Sequence, residues 1–129
     1  MLSRIHPYHC RMATLRISIV LASGARIGPG KAALLESVRD SGSISAAARG
    51  TGMDYKRAWL LLDSMNAAFD TPVVIAAPGG TRGGGAQLSP FGAELLARYR
   101  RLETVAAALA GEDLAALAAR ALPESSPKV

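Results

Sequence analysis

SISAAARGTGMDYKRAWLLLDSM, running from Ser43 to Met65, decides the fold, because it reads as a helix, a tight turn and a second helix. Ser43 can cap a short helix from about Ile44 to Gly50, its hydroxyl accepting from an N–H that the first turn leaves free. Gly52 stands where the turn needs a positive φ. Ala48 is small enough for the first helix to cross the second, with Met53, Ala58 and Leu61 locking the crossing. Asp54 can cap the second helix, on which Ala58, Leu61, Leu62, Met65 and Phe69 recur at helical spacing. Tyr55, Lys56, Arg57 and Ser64 point away from that stripe, with Trp59 at its margin. This basic, hydrogen-bonding face suits the DNA major groove, and Ser45 on the shorter helix is placed with it. The plainer alternative is a three-helix core with a solvated charged face.

The flanking elements favour the groove. Upstream, Leu15, Ile17, Ile19 and Leu21 alternate with Arg16, Ser18 and Val20, the period of a half-buried strand. A helix is expected from Lys31 to Asp40, closed by Gly42. Downstream, Val73–Ala77 and Ala86–Leu88 flank Pro78–Gly85, a loop with five glycines, which predicts a β-hairpin. Such a wing beside the second helix can approach a DNA backbone or minor groove through Arg82, Gly83 and Gly84. After Ser89 and Pro90 a long helix is expected to about Ala110, ended by Gly111, with a short helix over Leu114–Leu122. Phe91, Leu95, Tyr99, Leu102, Ala106 and Leu109 form a seam of coiled-coil spacing. A helix of that length outruns a thin domain, so Phe91, Leu95, Tyr99, Leu102 and Leu109 are expected at a two-fold dimer interface. The predicted fold is mainly α with a small β-hairpin wing (α+β), a winged helix-turn-helix with a long C-terminal dimerisation helix. Its parts are an arm over 1–14, the DNA-binding domain over 15–89, the dimerisation region over 90–122 and a tail over 123–129.

Composition sets the bounds. The chain of 129 residues has room for one domain, and half of it is hydrophobic, enough to bury a core. The net charge of +5 suits a polyanionic partner, and twelve of the fifteen cations are arginine. The longest strongly apolar stretch, Ile17 to Ala22, is far below the ~20 residues needed to span a bilayer. With one cysteine and no apolar leader, a cytoplasmic, nucleoid-associated location is expected. Translation can start at Met1 or Met12.

Chemistry of other kinds is not expected. Gly24 to Lys31 superficially looks like a phosphate-binding loop, but five residues separate Gly24 from Gly30, and Ala32 follows the lysine where a hydroxyl is needed for magnesium. His6, His9 and Cys10 lack a fourth metal ligand at a structural zinc spacing. They are the only histidines and the only cysteine, so nucleophilic catalysis would have to run from the arm. Asp63 and Asp70 are accounted for as solvated charges. No enzyme activity, cofactor, metal or membrane partner is expected.

Ser43–Ala48, the run Asp54-Tyr55-Lys56-Arg57-Ala58-Trp59, Met65-Asn66 and the wing leading into Leu88-Ser89-Pro90-Phe91-Gly92 together resemble the N-terminal domain of molybdate-dependent ModE-type regulators. More distantly, the sequence is similar to the winged-helix domain of LysR-type regulators. The resemblance covers about residues 15–110. It implies a dimer formed through the strand and the long helix, with Tyr55, Lys56 and Arg57 at the DNA. In full-length family members the oxyanion is bound by C-terminal oligonucleotide-binding-type domains, so no molybdate site is expected on this chain. The expected function is a dimeric, sequence-specific transcriptional regulator that binds an inverted-repeat operator in double-stranded DNA. The alternative is a dimeric protein-interaction module that does not bind DNA.

Overall fold

Two left-handed glycines divide the N-terminal half of the chain into three helices. The computed structural model of the chain describes residues 9–10, 13–78 and 85–123. Helix α1, Pro29–Ser41, starts with proline at its first turn, where the missing N–H costs nothing, and closes at Gly42, whose φ is +81°. The Gly42 N–H donates to the Val38 carbonyl at 2.9 Å, satisfying one of the last carbonyls of α1. Helix α2, Ile44–Thr51, begins at Ser43, whose hydroxyl accepts from the Ala46 N–H at 3.0 Å. Gly52, at φ +74°, ends α2, and the Met53 N–H reaches back to the Ala48 carbonyl at 3.0 Å. Helix α3, Tyr55–Ala68, is capped by Asp54, whose carboxylate accepts from the Arg57 N–H at 2.7 Å. The two caps and the turn glycine therefore act as the sequence predicts.

The strands are short antiparallel pairs. β1, His9–Cys10, pairs with β2, Ala13–Thr14, within the stretch expected to be an irregular arm. β3, Ile19–Val20, pairs with β4, Arg26–Ile27. Half-buried and exposed residues alternate from Ala13 to Leu21, as the sequence predicts, yet only two residues of β3 find a partner. The reason lies in β4, which can offer no more before Pro29 turns the chain into α1. β5, Val74–Ala77, and β6, Gly85–Leu88, form the expected hairpin, with Val74 opposite Leu88 and Ala77 opposite Gly85.

Helix α4, Pro90–Arg120, is a single helix of 31 residues. The break expected at Gly111 and the separate helix over 114–122 do not occur. A glycine inside a helix costs about 1 kcal/mol relative to alanine. Here Ala106 to Ala110 on one side and the Ala115 to Ala119 region on the other supply the residues of highest helix propensity, which outweigh it.

The chain divides into two compact units, one spanning Ile17–Arg100 and the other made of the residues on either side of it. In the first unit, Ile27, Leu34, Leu35, Val38, Met65 and Val73 are sealed from solvent. Ala47, Ala48 and Ala58 fill the helix crossings between them, their small size letting the backbones approach. Tyr99, at 1% exposure, ends this core. Its buried hydroxyl needs a partner and donates to the Ile17 carbonyl at 2.8 Å. Next to it, Arg100 grips the Glu36 carboxylate of α1 with two nitrogens, at 2.9 and 2.8 Å. Phe69 and Phe91 meet edge to face, 5.0 Å between ring centres.

Candidate nucleic-acid interface

Helix α3 is anchored on one side only. Ala58, Leu62 and Met65 turn into the core with Leu61 packed at its edge, and Trp59, Leu60, Asp63 and Ser64 are left on the outside. Tyr55 and Trp59 are about half exposed, at 53% and 44%, while Lys56, Arg57 and Ser45 of α2 are exposed. The structure thus brings five of the eight residues expected at DNA onto α2 and the first two turns of α3. The other three, Arg82, Gly83 and Gly84, lie outside the described residues, as does most of the loop that carries them.

The charge on this face is available. Arg39 is held by Asp40 at 2.9 Å, Arg98 by Glu94 at 2.8 Å and Arg100 by Glu36. Among the described residues no ion pair engages Lys56 or Arg57. Asp54 does not neutralise them, since its carboxylate is directed to the Arg57 backbone N–H as the cap. A helix N-terminus already carries partial positive charge, and two free cations in its first turn add to it.

The hairpin is tied to α3 by one side chain. Asn66 accepts from the Val73 and Val74 N–H groups, at 2.7 and 3.0 Å, and donates from Nδ2 to the Val74 carbonyl at 3.0 Å. From the other strand, the Ala86 N–H donates to the Gly42 carbonyl at 2.9 Å, fixing β6 to the α1–α2 turn. A groove between α3 and the hairpin is lined by Ile44, Trp59, Asp63, Asn66 and Ala76. The position of the hairpin root relative to α3 therefore follows from the bonds that its backbone makes to the Asn66 side chain, and its position on the α1–α2 turn from the bond to the Gly42 carbonyl.

The predicted dimer seam splits in two. Leu95 and Tyr99 are buried in the chain's own core and Phe91 packs against it, so these three are committed within the chain. A helix docked on its own domain uses the same spacing as one docked on a partner, so the spacing alone does not separate the two. Leu102, Val105 and Leu109 remain outside, with Leu109 81% exposed.

Sequence reasoning overlooked two residues here. Asn66 entered the resemblance, but its three-bond clip depends on where β5 arrives. Leu60, 51% exposed in the middle of α3, was passed over, although it stands two residues from both Ala58 and Leu62 and must face away from them. Among the described residues there is no group of three or more His, Cys, Asp or Glu side chains able to hold a metal ion, and no helix is long and apolar enough to cross a membrane.

Comparison with known proteins gives the same family as the motifs. The chain is 49% identical over 87 residues to the molybdenum-pterin-binding protein MopB of Rhodobacter capsulatus, which covers 67% of this chain and 32% of that protein. It is 38% identical over 88 residues to the molybdenum transport protein ModE of Azotobacter vinelandii, covering 68% of this chain and 33% of that one. Against the DNA-binding transcriptional dual regulator ModE of Escherichia coli K12 it is 33% identical over 93 residues, 72% of this chain and 36% of the relative. The chain spans about a third of the length of the curated relatives it matches. No protein-family model matches it. The resemblance to ModE-type proteins thus extends beyond the motifs to most of the chain.

Proposed function

We propose that this chain is the DNA-binding part of a molybdate-linked transcriptional regulator, and that it grips duplex DNA as a two-fold dimer with α3 in the major groove. The observation that carries the reading is the pair Lys56 and Arg57, in no ion pair among the described residues and set in the first turn of a capped helix whose opposite face is buried in a helix-turn-helix core. The name of the Escherichia coli relative, a DNA-binding transcriptional regulator, supports it. Phosphate contacts supply affinity, and the exposed side chains of α3 choose the sequence. The wing at 78–85 is read as a second contact, on backbone or minor groove.

The test is to enrich duplexes from a randomised pool with the full chain and to measure gel shifts at several salt concentrations. Lys56→Ala and Arg57→Ala are each expected to weaken binding by ~1–3 kcal/mol where the side chain meets a base, or to reduce the salt slope by about one where it meets a phosphate. Unchanged binding in both variants would remove this face from the DNA. Salt-insensitive association with another protein, and no retention on DNA, would favour the interaction module instead.

The dimer is assigned to the outer stripe of α4, Leu102, Val105 and Leu109, which is apolar and exposed among the described residues. A two-fold pair would set two copies of α3 about one helical turn of DNA apart, ~34 Å. The double variant Leu102→Glu, Leu109→Glu is expected to sediment as a monomer that keeps its helical circular dichroism, because both side chains are exposed within the chain. A wild-type chain that sediments as a monomer at tens of micromolar would overturn the dimer.

A further inference from the structure

Leu60 stands on the outward side of α3. It lies two residues, or about 200° of helical rotation, from both Ala58 and Leu62, which are buried, so it points nearly opposite to the core. It is 51% exposed, and the shallow surface around it is formed by Asp54, Tyr55, Lys56, Arg57 and Leu61. A large aliphatic side chain there gains little from folding, since half of its surface stays in water. Its polar neighbours do not cover it: Ser64 bonds the Leu61 carbonyl at 2.7 Å, and Asp54 caps the helix.

We infer that Leu60 is a specificity-determining residue that reads the C5-methyl group of thymine in the major groove, an inference that rests on α3 facing DNA. The surroundings select this occupant. The apolar tip follows Lys56 by one turn and stands beside the cation Arg57, so its partner must present an apolar group embedded among phosphates. In duplex DNA the thymine methyl is the one apolar group on the major-groove edge of the bases. Four residues of α-helix advance about 6 Å, so the methyl should lie roughly two base steps from the contact that Lys56 makes. Lys56 and Leu60 then divide the work, the ammonium holding the register on the backbone or a purine and the leucine discriminating thymine from cytosine.

The experiment uses the full chain and duplexes enriched from a randomised pool, in which each thymine is replaced singly by deoxyuridine. That exchange removes one methyl and keeps every hydrogen-bonding group. Wild-type affinity is expected to fall about fourfold at one thymine in each half-site, the value for losing one buried methyl. Leu60→Ala should bind the thymine and uracil duplexes equally, with an unchanged melting curve. Lys56→Ala should bind more weakly to both while keeping the fourfold preference. The inference is overturned if no thymine is sensitive to the exchange, or if Leu60→Ala keeps the wild-type preference. If no duplex is enriched at all, the DNA-binding reading itself fails, and this inference with it.

Discussion

Gly92→Ala is expected to lower the stability of the Ile17–Arg100 unit by about 3 kcal/mol, the upper end of what overpacking costs. A Cβ at Gly92 would fall on the Val73 carbonyl oxygen, with the Val73 carbonyl carbon and the Leu88 Cβ also close. The obstacle is backbone, so no rotamer change relieves it. Nor can the carbonyl swing aside, because it accepts from the Ser89 N–H at 2.9 Å. Ser89 is itself locked: its hydroxyl donates to the Pro72 carbonyl at 2.6 Å and accepts from the Gly92 N–H at 2.9 Å. The start of α4 and the entry to the hairpin thus share one crowded point that only glycine fits. For a domain of this size the loss corresponds to a fall in melting temperature of roughly 15 °C, readable by circular dichroism. Gly111→Ala is the control, the same change at a helical glycine with open space beyond it. It should be neutral or slightly stabilising.

Asn66→Ala should cost about 2–4 kcal/mol, by a different route. The substitution strips the Val73 and Val74 N–H groups of their acceptor and leaves both facing the interior, where each unsatisfied donor costs ~1–3 kcal/mol. Val73 is fully buried and Val74 nearly so, which restricts how well water can replace the lost partner. Asn66→Asp keeps the acceptor for both N–H groups but loses the donation to the Val74 carbonyl and sets a carboxylate against it. Urea unfolding should rank the wild type first, then Asp, then Ala. Equal stability of all three would mean that the clip contributes nothing. At a temperature where Asn66→Ala is still folded, DNA affinity should drop as well, because the hairpin would no longer be fixed to α3. Loss of affinity without loss of stability would instead place Asn66 at the DNA.

Much of the candidate site can be read directly from the sequence because its signals are local. Ser43 and Asp54 cap the helices that follow them, and Gly42 and Gly52 take the left-handed conformation that only a glycine enters cheaply. Each depends on bonds among residues no more than five apart in sequence, so composition and spacing suffice. The inward stripe of α3 is equally local, and its complement, the outer face with Lys56, follows from it by geometry.

Where the sequence misleads, the deciding interactions are long-range. The spacing of Phe91, Leu95 and Tyr99 cannot distinguish the chain's own core from a partner's. Tyr99 is claimed by its own domain because its hydroxyl finds the Ile17 carbonyl, 82 residues away in sequence. Gly111 is a helix terminator by local rule, yet it is carried through by the alanines on both sides. The strand read over 15–21 keeps its alternating burial but pairs over only two residues, since its partner runs into α1. Gly92 and Asn66 show nothing unusual in the sequence, because their importance is made by Val73 and Val74 arriving beside them.

The sequence by itself determined the helix-turn-helix, its caps, its turn glycine and the hairpin that follows, since each is specified by neighbouring residues and by burial periodicity. Only the tertiary structure decided which half of the α4 seam is core and which half is free, how the hairpin is held against α3, and that Leu60 is presented outward among cations. The physical reason is common to all three. Propensity and pattern act along the chain within a turn or two, whereas burial, steric exclusion and the satisfaction of buried backbone groups depend on which distant segments arrive in contact.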